Sequence, residues 1–130
     1  MSIDDAAREA VVRWDYDTAV TMVAIAGCES GWRNDARGDH VSAFPPDEQP
    51  LYQQYACDGY TSIGLWQVNM RWNADLLEAS YGRLPPCDWA DLLSDPGENA
   101  IIAAHILSRQ GLGAWSCYNG QGYLNHIDQA

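Results

Sequence analysis

The amino-acid sequence predicts a mainly α, single-domain protein with one small β-hairpin or irregular flap. Three observations lead there. The run AVTMVAIAG, residues 19–27, is apolar nearly all round, the pattern of a helix buried at the centre of a domain. Asp95-Pro96-Gly97-Glu98 sets Asp at a helix N-cap, Pro at the first helical position and Glu three residues after the cap, so a second strong helix opens there. Residues 37–61 hold three prolines and no helical periodicity, and read as a loop or short hairpin.

In chain order, residues 4–13 read as a short helix with Ala and Val on one side. Asp17 opens the central helix, Thr18 to about Ser30, and Gly31 follows where a helix C-terminus stops. Beyond the flap, Ile63 to Val68 is a short extended or turn segment. Asn73 can cap a helix over 74–80, and Asp88 another over 89–93. The helix opened by Asp95 carries Ala100, Ala103, Ala104 and Leu107 to the core and ends near Gly111. A last short helix covers about 115–120. No repeat, low-complexity tract or linker intervenes, so 1–130 reads as one unit. That length allows a real core and is too short for two comfortable domains.

Composition narrows the partners. Six Trp and seven Tyr stand against one Phe. Such rings can stack on a ligand while hydrogen-bonding at their polar edge, although core packing is the commoner use of any one of them. The net charge is −11 and every cationic side chain is Arg. A surface this acidic repels phosphates and anionic lipid, so neither nucleic acid nor a membrane is expected as partner. It also opposes an anionic cell wall, so any wall-directed activity must rest on short-range groove contacts. Met1-Ser2-Ile3-Asp4-Asp5 lacks the basic-then-apolar order of a signal peptide, and no apolar run reaches the ~20 residues of a membrane span.

Cysteines fall at 28, 57, 87 and 117 without a C-x-x-C pair, which argues against zinc. Outside a cell they would form two disulfides. Loop-like sequence around Cys57 and Cys87 favours that pair and leaves Cys28 with Cys117; four reduced thiols are the alternative. The Asp and Gly residues of 37–60 lack calcium-loop spacing, and no metal or organic cofactor is expected.

Glu29 is the residue whose setting points to chemistry. Its helix neighbours Ala26, Ile25 and Met22 are apolar, and it occupies the last helical turn. Desolvation and the negative end of the helix dipole both disfavour its charged form. A carboxyl that keeps its proton near neutral pH is what a general acid requires. A solvent-facing Glu at a helix end is the plainer alternative.

Glu29-Ser30-Gly31-Trp32, with Ala36 seven residues after the Glu, resembles the first motif of the goose-type lysozyme and lytic transglycosylase family. Ser62-Ile63-Gly64-Leu65-Trp66-Gln67-Val68-Asn69 looks like its second, usually Gly-Leu-Met-Gln, with Trp66 in the Met place. Asn99-Ala100, followed by Ala103-Ala104, is similar to the third. Trp115-Ser116-Cys117-Tyr118-Asn119-Gly120 looks like the fourth, normally Ala-Tyr-Asn, with Cys117 in the Ala place. All four occur in order between Glu29 and Gly120. The resemblance implies a lysozyme-like fold and a muramidase that cleaves the β-1,4 bond between N-acetylmuramic acid and N-acetylglucosamine in peptidoglycan glycan strands. It further implies Glu29 as the acid, with the Tyr118 hydroxyl orienting it. Gln67 and Asn119 would bind N-acetyl groups, and Ser62, Trp66 and the backbone of Gly64 would shape the groove.

Thirty-five residues separate Glu29 from Gly64, more than in the commonest form of the family, so residues about 39–60 read as an insertion beside the active site. Loops on a rigid scaffold often set specificity. Glycosidases usually employ two carboxylates, and Asp58 or Asp39 of the insertion could hold a water for hydrolysis. If the muramic C6 hydroxyl attacks instead, the enzyme is a lytic transglycosylase. Two rivals stand beside this reading: a peptidoglycan-binding module without catalysis, and a cysteine hydrolase using Cys28 or Cys117 with His40, His105 or His126. A monomer is expected. The missing signal peptide together with disulfides suggests a phage lysin, extracellular or virion-associated, or a domain of a larger secreted protein.

Overall fold

The computed structural model describes residues 3–127; Met1 and Ser2 of the acidic N-terminal stretch lie outside the described residues. Helix α1 (Ile3–Val11) leads into α2 (Tyr16–Ser30), followed by strand β1 (Arg37–His40), helix α3 (Gln49–Gln53), and strands β2 (Tyr60–Ile63) and β3 (Val68–Asn69). Helices α4 (Ala74–Tyr81), α5 (Pro86–Leu93), α6 (Pro96–Gln110) and α7 (Ser116–Asn119) complete the chain, with single 3-10 turns at Val41–Ala43, Leu112–Ala114 and Gly122–His126. The fold is mainly α with a small antiparallel sheet in the order β1-β2-β3. No helix among the described residues is long and apolar enough to cross a membrane.

Helix α2 is the axis. Met22, Val23, Ala24, Ile25 and Ala26 are all buried, as an all-round apolar helix must be. Its N-cap is Asp15 rather than Asp17: the Asp15 side chain accepts from the Thr18 N–H at 2.8 Å, so the helix starts earlier. Gly31 ends it with φ of 62°, its N–H returned to the Gly27 carbonyl. Gly27 has no room for a side chain, because a Cβ there would lie 2.5 Å from the Trp32 ring.

Buried indoles need partners for their N–H groups, and the backbone supplies them. Trp66 donates to the Met22 carbonyl, Trp32 to Val23 and Trp115 to Trp66, each at 2.8 Å. Asn99 on α6 is wholly buried. Its amide donates to the Ile63 and Leu93 carbonyls and its oxygen accepts from the Trp66 N–H, tying the turn after β2 to two helices. Gly64, at φ of 82°, lets that turn pass against Asn99 and the Leu93 carbonyl, a space a Cβ would fill.

Other boundaries differ from expectation for local reasons. Asn73 precedes α4, but its amide donates to the Asn69 carbonyl instead of capping the helix. Helix α5 starts at Pro86, where the fixed φ suits a first helical position, which leaves Asp88 inside the first turn. Asp95 caps α6 as expected, accepting from the Glu98 N–H at 3.0 Å. The buried stripe of α6 is Ala100, Ile102, Ala103 and Ile106, whereas Ala104 and Leu107 are half-buried. The flap contains the hairpin β1–β2 and also a helical turn, α3, with Pro50 at its second position.

Both disulfides pair as the sequence favoured, Cys28–Cys117 and Cys57–Cys87, and no cysteine is free. The first spans 89 residues, a closure that constrains the unfolded chain by about 4–5 kcal/mol. Two disulfides in one small domain point to an oxidising compartment.

Candidate active site

Glu29 stands half-buried in the last turn of α2. Helix α7 docks beside it and points two donors at its carboxylate: the Cys117 backbone N–H at 3.1 Å and the Ser116 hydroxyl at 3.4 Å. The Cys117 N–H belongs to a first helical turn, whose amides have no partner within the helix. Burial is the largest influence on this carboxyl and raises its pKa above the ordinary value; the charge of Asp39 adds to the rise. The two hydrogen bonds act against it by favouring the anion. The net result is a carboxyl that holds its proton more firmly than a solvated one.

Glu29 and Asp39 line one open cleft of about 290 Å³. Asp39 sits on β1 at φ of 53°, exposed, its carboxylate accepting from the Ser62 hydroxyl at 2.5 Å. Strand pairing explains the meeting. Ser62 on β2 lies opposite Gly38 on one side and Asn69 on the other, so the hydroxyl reaches the residue after Gly38. Gln67 lines the cleft too, with its amide nitrogen donating to the Ala36 and Gly64 carbonyls at 3.2 and 3.0 Å. Its Oε1 occupies the space a side chain on Gly38 would need.

Aromatic groups form the other walls. Trp72 is 67% exposed and lines the cleft, as do Phe44 from the flap and Trp115 from the core. A smaller compartment of about 160 Å³ continues past Trp72 and Asn69 to Asn73, Ile106 and Gln110. The two compartments share Gln67, Asn69, Trp72, Ala114 and Trp115; Glu29 and Asp39 line only the larger, and Asn73 and Gln110 only the smaller.

Several anticipated residues lie elsewhere. Trp66 and Gly64 are buried in the core and do not form the groove wall, because the Trp66 ring is needed against α2 and the Gly64 turn against Asn99. The Tyr118 ring stacks on Tyr123 with centroids 5.1 Å apart, and its hydroxyl is not among the described groups that hydrogen-bond Glu29. Asn119 donates to the Gly113 carbonyl at 2.8 Å, bracing the turn before α7. Asp58 is exposed beside the Cys57–Cys87 disulfide, outside the cleft. Those two sulfurs and the Asp58 carboxylate lie within 4.8 Å of one another, but sulfurs bonded to each other are not metal ligands. Cys28 and Cys117 likewise carry no thiol, which removes the nucleophile of a cysteine hydrolase.

Sequence reasoning missed Ser116 and the Cys117 amide as partners of Glu29, and Asn69 and Trp72 as groove residues. Asn69 is brought to the groove by pairing opposite Ser62 across β2 and β3, a register the sequence alone does not state. Nothing in the sequence marks Trp72 as the exposed Trp. Comparison of the chain with protein-family models, with curated proteins and with solved structures finds no match.

Proposed function

We propose that the chain is a glycosidase that cleaves peptidoglycan glycan strands, with Glu29 as the general acid. The observation that carries the reading is the Glu29 carboxyl itself: half-buried, its pKa raised by that burial, and held by two donors at the side of a groove that also contains Asp39. The four ordered sequence motifs supply the substrate class, since they resemble those of goose-type lysozymes and lytic transglycosylases. Trp72 and Phe44 offer flat apolar faces of the kind pyranose rings stack on. Gln67 and Asn69 add amide groups suited to N-acetyl substituents.

In this reading Glu29 protonates the glycosidic oxygen. Asp39, rather than Asp58, is the carboxylate in reach of the same cleft, and it would hold the water of a hydrolytic route. If the muramic C6 hydroxyl attacks, Glu29 accepts its proton and a 1,6-anhydro product leaves. The setting would be extracellular or virion-associated, in keeping with the disulfides.

The test is incubation of purified peptidoglycan with wild type and Glu29→Gln, with released muropeptides identified by mass spectrometry. Loss of general acid catalysis is expected to slow release by about 10²–10⁴-fold. Reducing-end products would identify a lysozyme and anhydro products a lytic transglycosylase. Equal rates in the two proteins would remove Glu29 from the mechanism. Binding of intact strands by wild type without any product would make the chain a binding module.

A further inference from the structure

Cys28 precedes Glu29 in the chain, and the strongest donor to the Glu29 carboxylate is the backbone N–H of Cys117, at 3.1 Å. These two cysteines are bonded to each other. One covalent bond and one hydrogen bond therefore join the same two places, the last turn of α2 and the first turn of α7. Helix α7 has four residues and no side-chain N-cap bond, far too few to persist as a helix without tertiary support. Both donors to Glu29, the Ser116 hydroxyl and the Cys117 amide, lie on it. The turn Gly122–His126 packs along α2 over the bridge, and a Cβ on Gly122 would lie 2.9 Å from the Cys28 sulfur.

We infer that the Cys28–Cys117 disulfide is the positioning element of the Glu29 carboxyl, so that the acid is assembled only in the oxidised chain. The inference rests on the reading of Glu29 as the catalytic acid. Both cysteines are half-buried rather than fully enclosed, and a small dithiol is the reductant used on them. Such a reductant gives two electrons and two protons, converting the bridge to two thiols while it becomes a cyclic disulfide itself. With the tie open, α7 withdraws both donors together. Asp39 from β1 is the other ionisable group lining the cleft. From the elements packed on this end of α2 come Tyr118 and Tyr123, stacked on each other, and His126, set edge-on to Trp32. None of these replaces the lost donors. The carboxyl then faces the Asp39 charge uncompensated, holds its proton to higher pH, and is no longer fixed in direction.

The experiment compares oxidised and dithiol-treated protein, as wild type and as Cys57→Ser/Cys87→Ser, in which the bridge beside Glu29 is the one remaining. Two readouts are taken: the pH–rate profile of muropeptide release, and direct titration of the Glu29 carboxyl by NMR with carbon-13-labelled glutamate. Reduction is expected to move the Glu29 titration to higher pH, shift the alkaline limb of activity with it, and lower the maximal rate on the order of tenfold to a hundredfold. Reoxidation should restore all three. An unchanged titration and rate, with thermal stability alone reduced, would overturn the inference and leave the bridge a structural staple. Should the reduced chain lose its helical circular dichroism, Cys28→Ala/Cys117→Val keeps apolar volume at the site and carries the same titration, with the same outcome deciding. If no muropeptide is released in any state, the proposed function falls, while the titration still decides whether the bridge positions the carboxyl.

Discussion

The raised pKa of Glu29 carries a cost to the fold once the carboxyl ionises. Because the folded chain binds the Glu29 proton more tightly than the unfolded chain, the associated stability is fully present below the ordinary value of 4.5 and is lost as pH rises through the raised value. Glu29→Gln is neutral throughout and keeps an oxygen for the Ser116 and Cys117 donors. It should therefore melt above wild type at about pH 7, with the difference closing at about pH 4. Calorimetry at the two pH values checks this, and a variant that melts below wild type at both would contradict it. Asp39 belongs to the same balance. Removing its charge with Asp39→Asn frees the Glu29 proton, so the alkaline limb of the pH–rate profile should move to lower pH. A limb that stays in place would show that the two carboxyls do not sense each other. The sequence exposed Glu29 through its apolar helix neighbours. It could not expose Ser116, because the hydroxyl lies 87 residues away and meets the carboxylate only after α7 docks.

The flap is the element whose interior was least readable. Its prolines marked an irregular stretch correctly, and the hairpin β1–β2 is there. The short helix α3 has no periodic pattern to announce it; one turn of helix buries a single residue, Tyr52. What holds it is tertiary. Tyr52 stacks on Phe44 with centroids 3.6 Å apart, and the Arg71 guanidinium lies 4.5 Å from the Tyr52 ring and 4.3 Å from that of Trp72. Arg71 has no carboxylate partner among the described residues, and its Nη1 is buried without a hydrogen bond. Its role is to join the flap to the segment between β3 and α4, across rings that border the groove. Arg71→Ala should weaken that clamp by about 0.5–2 kcal/mol. The effect should appear as faster amide exchange over residues 44–56 with exchange in α2 and α6 unchanged. Uniform acceleration across the chain would instead make Arg71 part of the global core.

At the scale of the whole molecule, apolar patterning and the Asp95 cap revealed the main helices, while the other expected caps lay elsewhere and the groove depended on contacts between distant segments. Trp66 shows the limit: its motif placed it at the groove, yet an indole at that turn finds its N–H partner on α2 and its packing inside. Charge is the global property that needed no structure at all. With 18 acidic residues against seven arginines, the protein would be repelled at long range by the anionic wall of the proposed function, which leaves groove contacts to favour binding. Under the proposed function, screening should therefore raise activity. The Debye length falls from about 30 Å at 0.01 M salt to about 8 Å at 0.15 M, so initial rates on intact peptidoglycan should rise over that interval. An uncharged N-acetylglucosamine oligomer carries no such repulsion, and its cleavage should be flat across the same range. A rate on peptidoglycan that falls with added salt would mean that attraction governs the encounter despite the net charge of −11.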